Sequence, residues 1–61
     1  MDERFVVFRG PERVASGTRV EAALAAHALA SQPGVLVFGP DGRGIDFDLT
    51  GGQDEISRRY G

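Results

Sequence analysis

Two runs of four apolar residues, Phe5-Val6-Val7-Phe8 and Val35-Leu36-Val37-Phe38, constrain this chain more than any other feature. Each is rich in aromatic and β-branched residues. Gly10-Pro11 closes the first, and Pro33-Gly34 opens the second. Short apolar runs bounded in this way read as strands with nonpolar side chains on both faces. Such strands belong in the middle of a sheet. Only one long helical segment accompanies them, and one helix shields one face of a sheet. Some of Phe5, Val6, Val7, Phe8, Val35, Leu36, Val37 and Phe38 must therefore point away from it. These eight residues are the candidate interaction surface. Either the C-terminal tail folds back over the second face or another chain covers it, because a large bare apolar patch is unusual for a monomer.

The remaining elements follow from local chemistry. Pro11 presets φ for a turn, and Glu12 to Ser16 can return as a weaker second strand suited to a sheet edge. Thr18 and Glu21 stand three apart and spell a capping box, in which hydroxyl and carboxylate each satisfy a free backbone amide. The alanine-rich run that follows has high helix propensity, and Pro33-Gly34 stops it. The sequence predicts a helix over Arg19 to Ser31. Two faces compete for burial: a stripe of Val20, Leu24 and Ala28, and an arc of small alanines that would let a sheet, a second helix or a dimer partner approach closely. Gly39-Pro40-Asp41-Gly42-Arg43-Gly44 reads as a hairpin loop. Beyond it Ile45, Phe47 and Leu49 alternate with Asp46, Asp48 and Thr50, a period of two that buries one face of a strand. A short last helix is expected from about Asp54, with acids first and arginines last to suit its dipole, and with Ile56 and Tyr60 on one face.

The order β-β-α-β-β with apolar strands one and three in the centre gives a sheet of order 2-1-3-4. Its crossover helix lies on one face. The predicted fold class is α+β, a two-layer sandwich on a four-stranded, largely antiparallel sheet, forming a single domain over residues 1–61.

Composition removes several function classes. The chain has 61 residues and no cysteine, so neither a disulfide nor a thiolate metal site can support the small core. Oligomerisation or a larger parent protein is the remaining aid. Seven arginines are scattered against nine acids, lysine is absent, and the net charge is −2. A nucleic-acid binder needs a concentrated cationic face, so no direct nucleic-acid binding is expected. No apolar run approaches the roughly 20 residues of a membrane span, and the charged N-terminus lacks a signal-peptide pattern. A cytoplasmic location without membrane contact is expected.

The acidic stretch from Asp41 to Glu55 invites a metal-binding reading. Asp46, Asp48, Thr50 and Gly51 match positions one, three, five and six of a calcium loop, and Asp54 falls at position nine. Position twelve should be a bidentate Glu and is Ser57, and no helix enters the loop. The plainer reading is a strand with a wet face. Asp46, Asp48 and Asp54 remain the metal candidates of an alternative function, a regulatory ligand- or metal-sensing domain built on Asp46 to Glu55. The Gly39–Gly44 loop is not a phosphate loop, which requires Gly-Lys-Ser/Thr opening a helix, and the dinucleotide spacing is absent too. No cofactor is implied. His27, mid-helix, has no serine placed as a partner, so no catalytic constellation is recognisable and a non-enzymatic role is expected.

With these motifs laid out, "FRGPERVASG", "VEAALAAHAL" and "VLVFGPDGRGIDFDLTG" together resemble the N-terminal part of a bacterial family, domain-of-unknown-function family 2239. In that family an F-x-G segment and an "ASG" precede an Ala-rich helix, and a D-x-DL-x-G ending follows. The likeness covers nearly the whole chain. It departs at Thr50, where the family usually has Arg. No activity or catalytic residue comes with the resemblance. It implies longer members with a basic C-terminal part resembling a ribbon-helix-helix segment. The present chain would then be an N-terminal domain that associates with itself or with the remainder of a longer parent protein.

Overall fold

The computed structural model describes residues 4–61. Strand β1 (Phe5–Arg9) turns into β2 (Glu12–Gly17), helix α1 (Arg19–Ala28) crosses over, β3 (Val35–Phe38) and a two-residue β4 (Gly44–Ile45) form a hairpin, and helix α2 (Gln53–Tyr60) closes the chain. The sheet order is β2-β1-β3-β4 with every neighbouring pair antiparallel, as the sequence predicts. The two apolar runs occupy the two central positions.

Turn chemistry sets the β1–β2 connection. Gly10 sits at φ +60°, a left-handed conformation that side chains with a Cβ rarely adopt, and its amide donates to the Gly34 carbonyl at 2.9 Å. That bond ties this turn to the loop entering β3. In the β1–β2 ladder, Val7 faces Ala15 and Phe8 faces Arg13, so Val14 is the extra residue of a β-bulge.

Helix α1 starts where the capping box places it. The Thr18 amide donates to Glu21 Oε1 at 2.8 Å, and the Glu21 amide donates to Thr18 Oγ1 at 3.3 Å. Its end comes three residues before the predicted Ser31. The Leu29 amide is shared between the Ala25 and Ala26 carbonyls, and those of Ala30 and Gln32 bond three residues back. The last turn therefore tightens and leaves the α-helical pattern before proline is reached.

Of the two competing helix faces, the alanine arc faces the sheet. Ala22 and Ala26 are buried with Phe5, Val7 and Val37, whereas Val20 and Leu24 are half-buried. Methyl groups let the helix approach the central strands closely, which brings Val7 to complete burial. Burying a valine side chain contributes about 1.5–3 kcal/mol. The alanine arc is thus core and leaves no dimer contact there.

The fourth strand is shorter than its pattern. Burial alternates from Ile45 through Leu49 as the sequence predicts, but the ladder with β3 ends at the Val37–Ile45 pair. Beyond it the chain leaves the sheet edge. Phe47 then packs with its ring centroid 6.0 Å from that of Phe5 and 4.7 Å from that of Tyr60. Period two records which side chains are buried, and it persists without a hydrogen-bonded partner strand.

Helix α2 packs on α1 and contacts no strand among the described residues. Ile56 and Ala23 are both fully buried, and neither belongs to the cluster between α1 and the sheet. They mark a second, smaller apolar contact on the flank of α1. The tail therefore does not fold over the far face of the sheet, the first of the two coverings the sequence leaves open.

Candidate interaction surface

The eight apolar residues of β1 and β3 divide by pleat. Directly opposed residues in an antiparallel pair share a face. Val7 opposes Val37, and Phe5, Val7, Val35 and Val37 turn toward α1 as core or as residues packed on it. Half of the candidate surface is thereby corrected to interior. Val6 opposes Phe38 and Phe8 opposes Leu36, and these four turn away from the helix. Phe8 and Phe38 lie diagonally across the two strands, with ring centroids 5.7 Å apart and planes at 79°. An edge-to-face pair of this kind contributes about 0.5–1.5 kcal/mol beyond its buried area. Leu36 is 56% exposed, and among the described residues it is the one large hydrophobic side chain in the exposed class. Val6, Phe8 and Phe38 are half-buried.

Polar residues frame this block. Arg13, opposite Phe8, stands on β2 on one side, and Ser16 opposes Val6. On the β4 side Gly44 opposes Phe38. Asp46 is exposed one residue beyond Ile45, whose side chain packs on the core.

The acidic stretch is organised differently from a metal loop. Asp48 accepts from the Thr50 amide at 3.2 Å and from the Thr50 hydroxyl at 2.7 Å, and Arg59 approaches its carboxylate at 3.8 Å. The Thr50 hydrogen bonds, aided by the Arg59 charge, hold the Asp48 carboxyl below its ordinary range. Arg59 also donates to the carbonyls of Asp48 and Thr50, at 2.6 and 3.2 Å, and the Asp48 amide donates to Tyr60 Oη at 2.6 Å. His27 Nε2 lies 3.1 Å from the Gly51 carbonyl, a contact that needs the proton on Nε2. Gly51 has φ +93°, a conformation that residues with a Cβ rarely adopt, so glycine suits this turn into α2. The D-x-D-L-T-G segment is thus a clamp that binds α2 to α1. Asp46, Asp48 and Asp54 are not gathered, and among the described residues no group of three or more His, Asp or Glu side chains is placed to hold a metal ion.

Sequence reasoning missed the roles of Arg59, Tyr60 and His27 in this clamp. Only the i, i+4 spacing of Ile56 and Tyr60 hinted that the tail carries a packing face.

A cleft of about 330 Å³ opens where the 45–49 segment leaves β3, near the end of α1. Ala26, Val35, Val37, Ile45, Phe47 and Leu49 supply apolar walls, with Gln32 and Asp46 as its polar side chains. Gln32 is engaged by Arg9, which donates to its Oε1 at 2.8 Å. The cleft therefore lacks the convergent polar groups that orient a small ligand. No helix among the described residues is long and apolar enough to cross a membrane.

The family model described as an uncharacterised protein conserved in bacteria (DUF2239) matches residues 4–61. No curated protein and no solved structure shows significant similarity. The chain belongs to the DUF2239 family.

Proposed function

Since membership of this family carries no activity with it, we propose from the geometry that the chain is a non-enzymatic association domain, using the sheet face opposite α1 to bind itself or the remainder of a longer parent protein. One observation carries the reading. Val6, Phe8, Leu36 and Phe38 form a continuous apolar block on the two central strands, while both helices lie elsewhere. Nothing in the fold requires this block to be apolar. Alternation would accept polar residues on an outward face, and the segment after β4 shows that pattern with exposed Asp46 and Asp48. Apolar side chains on a face that the chain's own helices leave open fit a surface that is covered by a partner.

The reading is non-enzymatic because His27 spends its Nε2 on a backbone carbonyl and the acids are dispersed or committed to the α2 clamp. A cytoplasmic setting accords with the lack of cysteine.

Sedimentation of the wild-type chain against Leu36→Glu tests the proposal. Leu36 is largely exposed, so the variant keeps its fold, as circular dichroism would confirm. Wild-type chain should associate, with itself or with added parent segments, and Leu36→Glu should lose that association. An equal degree of association in the two proteins would refute the assignment of this face.

A further inference from the structure

The slot where the chain parts from β3 after Ile45 is separate from the open sheet face, and backbone parity shows what it holds. Successive residues of a strand aim their N–H and C=O groups to alternate sides. The Gly10 amide donates to the Gly34 carbonyl, so by alternation Leu36 and Phe38 pair with β1. The Gly39 amide donates to the Arg43 carbonyl, so Val35 and Val37 face β4. Val37 meets Ile45 there, and the ladder ends before it reaches Val35. The Val35 amide and carbonyl therefore meet no partner on that side among the described residues.

The cleft of about 330 Å³ lies at this place. Val35 and Val37, which turn toward α1, line it together with Leu36 and Phe38, which turn away. Lining by both faces of one strand sets the cleft at the edge of that strand, where a neighbouring strand would continue. Phe47 and Leu49 of the departing segment line it too, and Ala26 closes the side toward α1. The unpaired main-chain donor and acceptor of Val35 have the spacing of a strand, which suits an extended chain and not a compact ligand.

We propose that this slot takes an extended peptide segment of a partner protein, which pairs with β3 at Val35 and carries an apolar side chain flanked by a basic one. The residue opposite Val35 exchanges both hydrogen bonds with it and turns its side chain to the same face, toward Ala26 and Phe47, where the walls are apolar. The flanking residues turn outward, as Asp46 does. Asp46 is the one charged side chain lining the cleft, is exposed, and takes part in no ion pair among the described residues. A basic side chain at a flanking position complements it. A second copy of the chain does not supply this segment from its described strands. Its other free edge, β2, is bulged at Val14 and already built into a sheet. The site stands whether or not the opposite sheet face associates.

The test is an NMR titration of the chain at low salt with the probe peptide acetyl-Arg-Val-Arg-amide. Saturable shifts are expected at the Val35 and Phe47 amides. The ester analogue, in which oxygen replaces the valine N–H with little change in bulk, should bind about tenfold more weakly, because the Val35 carbonyl loses its donor. Asp46→Asn should weaken the original peptide by about threefold. Equal binding of peptide and ester overturns the pairing with Val35. Shifts confined to Val6 and Phe8, or none at millimolar peptide, overturn the slot as the site. Shifts at Val35 and Phe47 that grow with protein concentration before any peptide is added overturn the separate segment in favour of a second copy.

Discussion

Replacing Ile56 by alanine should undock α2 and remove a large part of the stability of the domain. Ile56 is the one fully buried residue of α2, the helix that packs on α1. Truncating a buried isoleucine to alanine costs about 2–5 kcal/mol, and to valine about 0.5–1.5 kcal/mol. A domain of 61 residues has a total stability of roughly 3–9 kcal/mol at the usual 0.05–0.15 kcal/mol per residue. The alanine variant therefore loses about a fifth of the whole or more. The other ties on α2 are the Tyr60 ring against Phe47, worth about 0.5–1.5 kcal/mol, and hydrogen bonds from Arg59, to Tyr60 and from His27 to the Gly51 turn before the helix, each worth about 1 kcal/mol. An eight-residue helix is too short to persist alone, since isolated helices need about 12–15 residues. Urea denaturation of the wild type, Ile56→Val and Ile56→Ala should give a graded loss. Amide exchange should show α2 losing protection first, while Val7 and Val37 on the central strands keep theirs. A loss below about 1 kcal/mol in Ile56→Ala, with α2 still protected, would refute Ile56 as the anchor.

Three further outcomes follow from the same structure. Thr18→Ala removes the cap on α1 and should cost about 1 kcal/mol in thermal or urea unfolding, with the largest loss of protection in the first helical turn. Tyr60→Phe deletes the acceptor of the Asp48 amide and should cost about 1 kcal/mol, with a clear shift of the Asp48 amide resonance as the local check. Glu21 is held below its ordinary value mainly by its hydrogen bonds with Thr18, and Asp48 mainly by those with Thr50. Depressed carboxylates contribute stability above their ordinary range, near pH 4, and lose it as the pH falls through the lower folded values. Thr50→Val removes the hydroxyl donor to Asp48. Carboxyl titration by NMR should then show Asp48 taking up its proton at higher pH, with Glu21 unmoved.

The parts of this fold legible in the sequence are those written in neighbouring residues. The Thr18–Glu21 box fixes the start of α1 because both partners lie within one turn. The strand order follows from two apolar runs that leave little choice of position. The length of β4 was not legible, because alternation from Ile45 to Leu49 reports burial and is silent on pairing. The buried face of α1 was not legible either. Val20 and Leu24 offer more apolar area, but the alanine side permits the closer approach that seals Val7. The clamp on α2 joins residues 9 to 24 positions apart, Arg59 with Thr50 and His27 with Gly51, and no local pattern encodes contacts at that range. Of the candidate surface, the sequence showed that some apolar residues must turn outward. Choosing Val6, Phe8, Leu36 and Phe38 over their neighbours needed the register of the pleat. A slip of one residue would have exchanged the two sets.

That strict alternation along β1 and β3 has a practical corollary. Neighbouring residues on one strand answer to separate demands: Val7 and Val37 must fit a helix that leaves no slack, whereas Val6 and Leu36 are free to vary with whatever lies against them. The outward positions can be rewritten to change or abolish a contact while the hidden set keeps the domain folded, which makes this sheet a two-sided template whose sides can be edited independently.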